Sequence, residues 1–214
     1  MATHFGPLRW WPGGSSFEIA VGAILTQNTA WRNVEKALTL LRERDAIRPE
    51  AIHAMPQGEL EECLRPSGFF RVKSQRLRHL IAFLSSFPGW DKAPGNLSLD
   101  FMQERDTGEL RRGLLGVRGI GPETADAILL YALNRPSFVV DAYTRRIFSR
   151  HGFLPHDTPY EELRAFFMDA LPLDVPLYNE YHALIVRTGN SFCKKSRPLC
   201  HACPLGVFLD RTVE

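Results

Sequence analysis

The residues from Leu115 to Ile128 read Leu-Gly-Val-Arg-Gly-Ile-Gly-Pro-Glu-Thr-Ala-Asp-Ala-Ile, and they leave the backbone little choice. Gly119 and Gly121 bracket Ile120 in a turn too tight for side chains. Pro122 then suits the first position of a helix, where its fixed φ and missing N–H cost nothing. Ala125, Ile128, Leu129 and Ala132 follow at helical spacing, so this second helix buries one face. The expected unit is a pair of helices joined by a glycine turn, whose tip exposes unpaired backbone N–H groups suited to a phosphate. Eighteen residues after Glu123, the apolar run Phe138, Val139, Val140 ends in a single carboxylate, Asp141. Each part has a plainer use. A lone Gly-x-Gly before a helix is often a simple connection, and Asp141 suits the N-cap of a helix beginning near Tyr143.

Periodicity elsewhere is helical. Val34, Ala37, Leu38 and Leu41 repeat at i, i+3, i+4, i+7, and Leu77, Leu80, Ile81 and Leu84 repeat the pattern. Ser15-Ser16 opens the apolar stretch Phe17 to Leu25, and Thr158-Pro159-Tyr160-Glu161 has capping-box form ahead of Leu163, Phe166 and Phe167. No turn signal separates alternating runs, so the fold class is all-α.

With 214 residues, 44% hydrophobic and 23% charged, the chain reads as an ordinary soluble protein of one or two small domains. No apolar run approaches a membrane span and Met1 to Arg9 lacks a signal-peptide layout, so a cytoplasmic protein with no membrane partner is expected. A net charge of +2 does not by itself point to nucleic acid, but its distribution does. Acids are absent between Cys63 and Trp90, where Arg65, Arg71, Lys73, Arg76 and Arg78 stand, and again from Tyr181 to Leu209, where Arg187, Lys194, Lys195 and Arg197 stand. A segregated basic face fits a polyanion, although any one cluster also fits a solvated helix face.

The hairpin, its spacing to Asp141 and the run Cys193-x6-Cys200-x2-Cys203 occur here in one order. In that order they resemble the endonuclease III superfamily of helix-hairpin-helix DNA glycosylases, over nearly the whole chain. The resemblance implies two helical domains with the active cleft between them: a contiguous bundle over 22–135, and a second domain from 1–21 plus 136–214. It implies a monomer acting on double-stranded DNA in base excision repair, with the amides of Gly119 and Gly121, and a monovalent cation, at the DNA backbone. Asp141 would stabilise the positive charge that develops on the sugar, or activate water. Bifunctional members carry a lysine at the position of Glu123, and a carboxylate cannot form their Schiff base. Glu123 would instead touch the flipped nucleotide or orient water, or serve only as a favourable charge in a first turn.

Trp10-Trp11-Pro12, the stretch Leu25 to Trp31, and Arg65 to Phe70 with Lys73 resemble the 3-methyladenine branch of that superfamily. There an aromatic pair sandwiches the base, and by motif position Trp10 or Trp11 with Trp31 would form it; core packing is the other use for these tryptophans. Gln27 and Asn28 would fill the gap left in the duplex, or simply cap a helix, while Arg71, Lys73 and Arg76 would add phosphate contacts. The expected activity is therefore a monofunctional glycosylase favouring alkylated purines such as 3-methyladenine. The alternatives are an endonuclease III-type glycosylase and AP lyase for oxidised pyrimidines, and a non-catalytic DNA-binding protein, against which Asp141 argues.

Endonuclease III-like proteins hold a four-iron cluster (4Fe-4S) on C-x6-C-x2-C-x5-C, and here the fourth position is Leu209. Three thiolates, Cys193, Cys200 and Cys203, suit an iron–sulfur cluster with a solvent or unidentified fourth ligand, or zinc, with His201 a strained fourth candidate. A vestigial, packed loop is the remaining reading. In each case the loop would present Lys194 and Lys195 to the DNA backbone, and Cys63 is expected as a small buried hydrophobe. His182, on the helix leading to the cysteines, is expected as an interior histidine with no assigned role.

Overall fold

A computed structural model describes residues 1–8, 14–90 and 98–209, and among them every regular element is helical. The chain divides into two units, Gly13–Arg135, and Met1–Pro12 together with Pro136–Glu214. The expected boundary at residue 22 would cut a continuous helix, Ser16–Leu25, which lies wholly in the first of these. Trp10 and Trp11 lie outside the described residues.

A single turn, α1 (Ala2–Phe5), precedes that helix and belongs to the other unit. In the Gly13–Arg135 unit, α2 (Ser16–Leu25) begins where the Ser15 hydroxyl accepts the Glu18 amide at 3.1 Å. All its residues except Ser16 and Ile19 are buried, which makes it the centre of the bundle rather than a one-sided surface helix. Its buried carboxylate, Glu18, is paired with the Arg42 guanidinium of α3 (Trp31–Glu43). α3 buries Val34, Ala37, Leu38 and Leu41, the positions its spacing predicts. After α4 (Pro49–Ala54), α5 (Gln57–Leu64) packs on α3 and on α6 (Phe70–Ser85). Cys63 is fully buried in α5, and α6 buries Leu77, Leu80, Ile81 and Leu84.

The hairpin consists of α7 (Thr107–Gly116) and α8 (Pro122–Ala127), with Pro122 at the first helical position. Arg111 clamps the fully buried Asp126 across it, Nε to Oδ1 at 2.8 Å and Nη2 to Oδ2 at 3.0 Å. α8 runs into one π turn, Ile128–Ala132, in which the Leu133 amide donates to the Ile128 carbonyl at 3.0 Å. All five residues of that turn are buried and it packs on α2. An unbroken apolar run carries no polar marker of the extra residue, so spacing alone reads it as ordinary helix.

In the other unit, Phe138 lies flat on Phe167 (4.0 Å between centroids, 7° between planes) and anchors the extended strip that leads to Asp141. α9 (Ala142–Arg150) packs along α11 (Val175–Ser191), with α10 (Tyr160–Ala170) between them in the chain. The two approach so closely that a Cβ on Gly189 would sit 2.3 Å from Cδ1 of Tyr143. α1 is tied to this unit through Phe5 and His4 against Phe192, and through the Leu8 amide, which donates to Glu180 at 2.8 Å. The capping box expected at Thr158 does not form. Its hydroxyl donates back to the Pro155 carbonyl at 2.8 Å, and α10 starts after Pro159 with no side-chain cap. No helix among the described residues is long and apolar enough to cross a membrane.

Candidate functional site

Gly119 and Gly121 form an exposed tip between α7 and α8. Gly119 has φ +94°, and a Cβ there would meet Cγ of Arg76 at 2.5 Å, so any side chain at this position is strained and must displace Arg76. Behind the tip, Gln27 Nε2 donates to the Gly119 carbonyl at 3.1 Å and to Thr124 Oγ1 at 2.9 Å, and Arg76 in turn donates to Gln27 Oε1. His79 Nδ1 lies 3.0 Å from the Arg118 carbonyl, a further strut. The side chain of Gln27 is thus committed to holding the turn, while its neighbour Asn28 is exposed with a left-handed φ of 55°. No side chain caps α8, and Glu123 stands exposed in its first turn. Trp31, at the first position of α3, is half-buried.

Two of the expected phosphate contacts part company. Arg71 is exposed, 3.8 Å from Glu61. Lys73 is not a surface charge. It is 1% exposed, and its ammonium donates to the Leu25 carbonyl at 2.8 Å and the Ser67 carbonyl at 2.6 Å, joining the end of α2 to the turn before α6. Burial, with Arg76 adding to it, pushes its pKa down to about 8. The signal was in the spacing, because Lys73 stands one turn before Leu77 on the apolar face of α6.

Asp141 is the N-cap of α9. Its Oδ1 accepts the Thr144 amide at 2.7 Å and the Thr144 hydroxyl at 2.9 Å, and Thr144 Oγ1 lies 3.4 Å from the Asp141 amide, closing a capping box. Oδ2 lies 3.8 Å from Nε2 of His182 on α11. His182 is buried, and burial pushes its imidazole below its ordinary pKa while the Asp141 carboxylate works in the opposite direction. Tyr178, His182 and Ile185 share the buried face of α11, so an interior histidine was legible from spacing, whereas its carboxylate neighbour was not. One turn from His182, the buried Tyr178 hydroxyl has no hydrogen-bond partner among the described residues.

The cysteine loop follows α11. Cys193, Cys200 and Cys203 line one solvent-open concavity of about 350 Å³, together with His151, Thr188 and Leu209. Burial raises the Cys203 thiol above its ordinary pKa, and the nearby sulfurs of Cys193 and Cys200 add to the rise. Arg150 holds the loop, donating to the carbonyls of Lys194 (2.7 Å) and Lys195 (2.9 Å) and approaching Cys193 Sγ at 3.2 Å; Arg146 donates to the Cys193 carbonyl at 2.7 Å. Lys194 and Lys195 are exposed. Among the described residues no three Cys, His, Asp or Glu side chains close on a single metal ion. A lone zinc needs its sulfurs at about 2.3 Å. Thiols spread around a concavity, with the buried Thr188 hydroxyl at its wall lacking a hydrogen-bond partner among the described residues, fit a polynuclear cluster better. His201, beside Cys200, is exposed and does not line the concavity.

Residues 21–173 match the HhH-GPD superfamily of base excision DNA repair proteins. A protein of Methanocaldococcus jannaschii, provisionally described as a DNA repair glycosylase, is 43% identical over 96% of this chain and 90% of its own length. A non-covalent endonuclease III–DNA complex aligns with a TM-score of 0.73 at 26% identity, covering 92% of this chain and 83% of that one. The H. pylori 3-methyladenine DNA glycosylase bound to 1,N6-ethenoadenine aligns with a TM-score of 0.70 at 32% identity, covering 85% and 87%. The family match spans the glycine hairpin and Asp141, and with it the chain belongs to the HhH-GPD superfamily of base excision DNA repair proteins and is a DNA glycosylase.

Proposed function

We propose that this glycosylase is monofunctional and hydrolyses the N-glycosidic bond of a flipped-out alkylated purine, such as 3-methyladenine, as a monomer on double-stranded DNA. The observation that carries the reading is Glu123, a carboxylate exposed in the first turn of α8, where lyase members of the family carry lysine. Neither helix of the hairpin contains a lysine, and Lys73 has its ammonium bonded to two interior carbonyls. Without an amine at C1′ no Schiff base forms, and water is the nucleophile.

Asp141 supplies the negative charge for a sugar that becomes cationic as the C1′–N bond breaks. The capping box fixes its orientation, leaving Oδ2 as the oxygen not engaged by Thr144. Water adds to C1′, its proton passes to a base or to solvent, and the purine leaves with the electron pair of the broken bond. An alkylated, cationic purine is already a good leaving group, so the pocket needs stacking area more than hydrogen bonds. Trp31 with Trp10 or Trp11 would provide that area. The 32% identity with a 3-methyladenine glycosylase supports this choice of lesion. The amides at Gly119 and Gly121 would take the DNA backbone, aided by Arg71, Lys194 and Lys195. Cys193, Cys200 and Cys203 would hold a four-iron cluster whose contribution is to order the loop carrying those two lysines.

Duplexes carrying one 3-methyladenine, one thymine glycol or one abasic site test the assignment directly. Release of the alkylated purine without strand cleavage, and without a borohydride-trapped complex, is expected. Efficient trapping by the unmodified protein, or activity confined to thymine glycol, would restore the lyase reading.

A further inference from the structure

We propose that His151 supplies the fourth ligand to the iron–sulfur cluster, taking over from the apolar residue at 209. The inference rests on the reading of the three cysteines as cluster ligands. Among the described residues, the concavity they line contains one further side chain with a lone pair suited to iron, the imidazole of His151; Leu209, at the family's fourth position, lines the same space but has no donor atom. His151 caps the C-terminus of α9, where its amide donates to the Ile147 carbonyl at 3.1 Å, so the ring is carried by a fixed backbone.

The backbone of Phe208, the residue just before Leu209, lies beside the His151 ring. A neutral imidazole keeps one nitrogen as an acceptor, and metal-bound imidazoles give their second N–H to a carbonyl or carboxylate. The neighbouring residue, Arg150, brings a guanidinium to 3.2 Å from Cys193 Sγ, a favourable charge beside an anionic thiolate site. The segment that carries Leu209 in place of a fourth cysteine therefore lines the same space as the side chain that would replace it. A site of three thiolates and one imidazole binds the same number of irons as four thiolates, with one negative charge fewer.

The test is anaerobic reconstitution of the full chain with iron and sulfide, followed by iron counting and electron spin-echo spectroscopy of the reduced cluster. Protein with ordinary histidine is compared with protein carrying 15N-histidine. About four irons per chain are expected, with a nitrogen coupling that changes on histidine labelling. His151→Ala should lose that coupling and shed one iron at least tenfold faster on oxidation. His151→Cys should retain the irons without the coupling, and it also covers the case in which the alanine variant misfolds. A full cluster with no histidine coupling would overturn the role of His151 and leave the cluster standing. Reconstituted wild type without iron and sulfide would instead overturn the cluster reading itself, so the two failures are distinct.

Discussion

Asp141 holds Oδ2 3.8 Å from the buried Nε2 of His182, while its Oδ1 takes both the amide and the hydroxyl of Thr144. One oxygen is structural, and the other faces an imidazole. The residue that a sequence offers either as a helix cap or as a catalytic carboxylate therefore has a geometry compatible with both uses, and substitution can separate them.

Asn caps helices as well as Asp does, so Asp141→Asn should leave unfolding free energy within about 0.5 kcal/mol of wild type. It removes the charge proposed to stabilise a cationic sugar, and single-turnover base release should fall by about two to four orders of magnitude. Asp141→Ala should lose the same activity and, in addition, about 1 kcal/mol of stability from the missing cap. Near-wild-type base release by the asparagine variant would leave the residue a cap only.

His182 makes stability depend on pH. Its folded pKa lies below the ordinary value, chiefly because burial disfavours the charged ring. Between that folded value and about 6.5 the unfolded chain binds the extra proton, so stability is fully present above pH 6.5 and declines as pH falls toward the folded pKa. The expected result is a melting temperature that drops below pH 6.5 in wild type and drops less in His182→Asn. Asp141→Asn removes the charge that favours the imidazolium, and an NMR titration should find the His182 pKa lower still in that variant.

What the sequence revealed followed periodicity, and what it hid was the third dimension. Val34, Ala37, Leu38 and Leu41 were legible as a buried face because 3.6-residue spacing is a one-dimensional signal. Pro122 was legible because it fixes φ locally, and Gly119 because it alone of common residues takes a φ of +94° without strain; the turn is not too tight for a side chain at Gly121, whose φ is −93° and whose Cβ would meet nothing within 4 Å. Lys73 misled because residue type suggested solvent while its register with Leu77 placed it inside. Thr158 and Asp141 both carry capping signals, and only the second closes a box, a choice made by where the Pro155 carbonyl lies. The strut from Gln27 to Gly119 spans 92 residues, and the ring of cysteines and His151 joins the ends of two helices; no local pattern encodes either.

Lys73 and Arg71 should differ in a salt titration. Each phosphate contact contributes about 0.9 to the slope of log affinity against log salt. Arg71→Ala should lower that slope by about one unit, whereas Lys73→Met should leave it unchanged. The methionine variant should instead differ in stability. With a folded pKa of about 8 against about 10.4 unfolded, wild type gains stability as pH rises through that window, and Lys73→Met should not.

The clamp across the hairpin predicts an asymmetric mutational response. Asp126 is fully buried and Arg111 is 15% exposed, and removing one partner leaves the other charge largely withdrawn from water. Asp126→Ala should cost about 3–5 kcal/mol in urea unfolding, and a paired replacement of both residues by apolar side chains should recover most of it. Equal losses in the single and double variants would show that the pair is a packing element rather than an electrostatic one.

The two glycines of the tip should separate folding from DNA docking. Gly119→Ala places a methyl at φ +94° and 2.5 Å from Cγ of Arg76. Displacing Arg76 frees Gln27, and with it the bonds to the Gly119 carbonyl and Thr124, so this variant should lose more than about 1 kcal/mol of stability and bind abasic duplex poorly. Gly121 has an ordinary extended conformation, φ −93° and ψ 178°, and a Cβ there meets nothing within 4 Å. Gly121→Ala should therefore unfold within about 0.5 kcal/mol of wild type. Its methyl would nevertheless project where the proposed phosphate contact approaches the amides, so affinity for abasic duplex should fall while melting temperature does not. Wild-type affinity in Gly121→Ala would mean that the DNA backbone does not rest on this tip, whatever the stability of the variant.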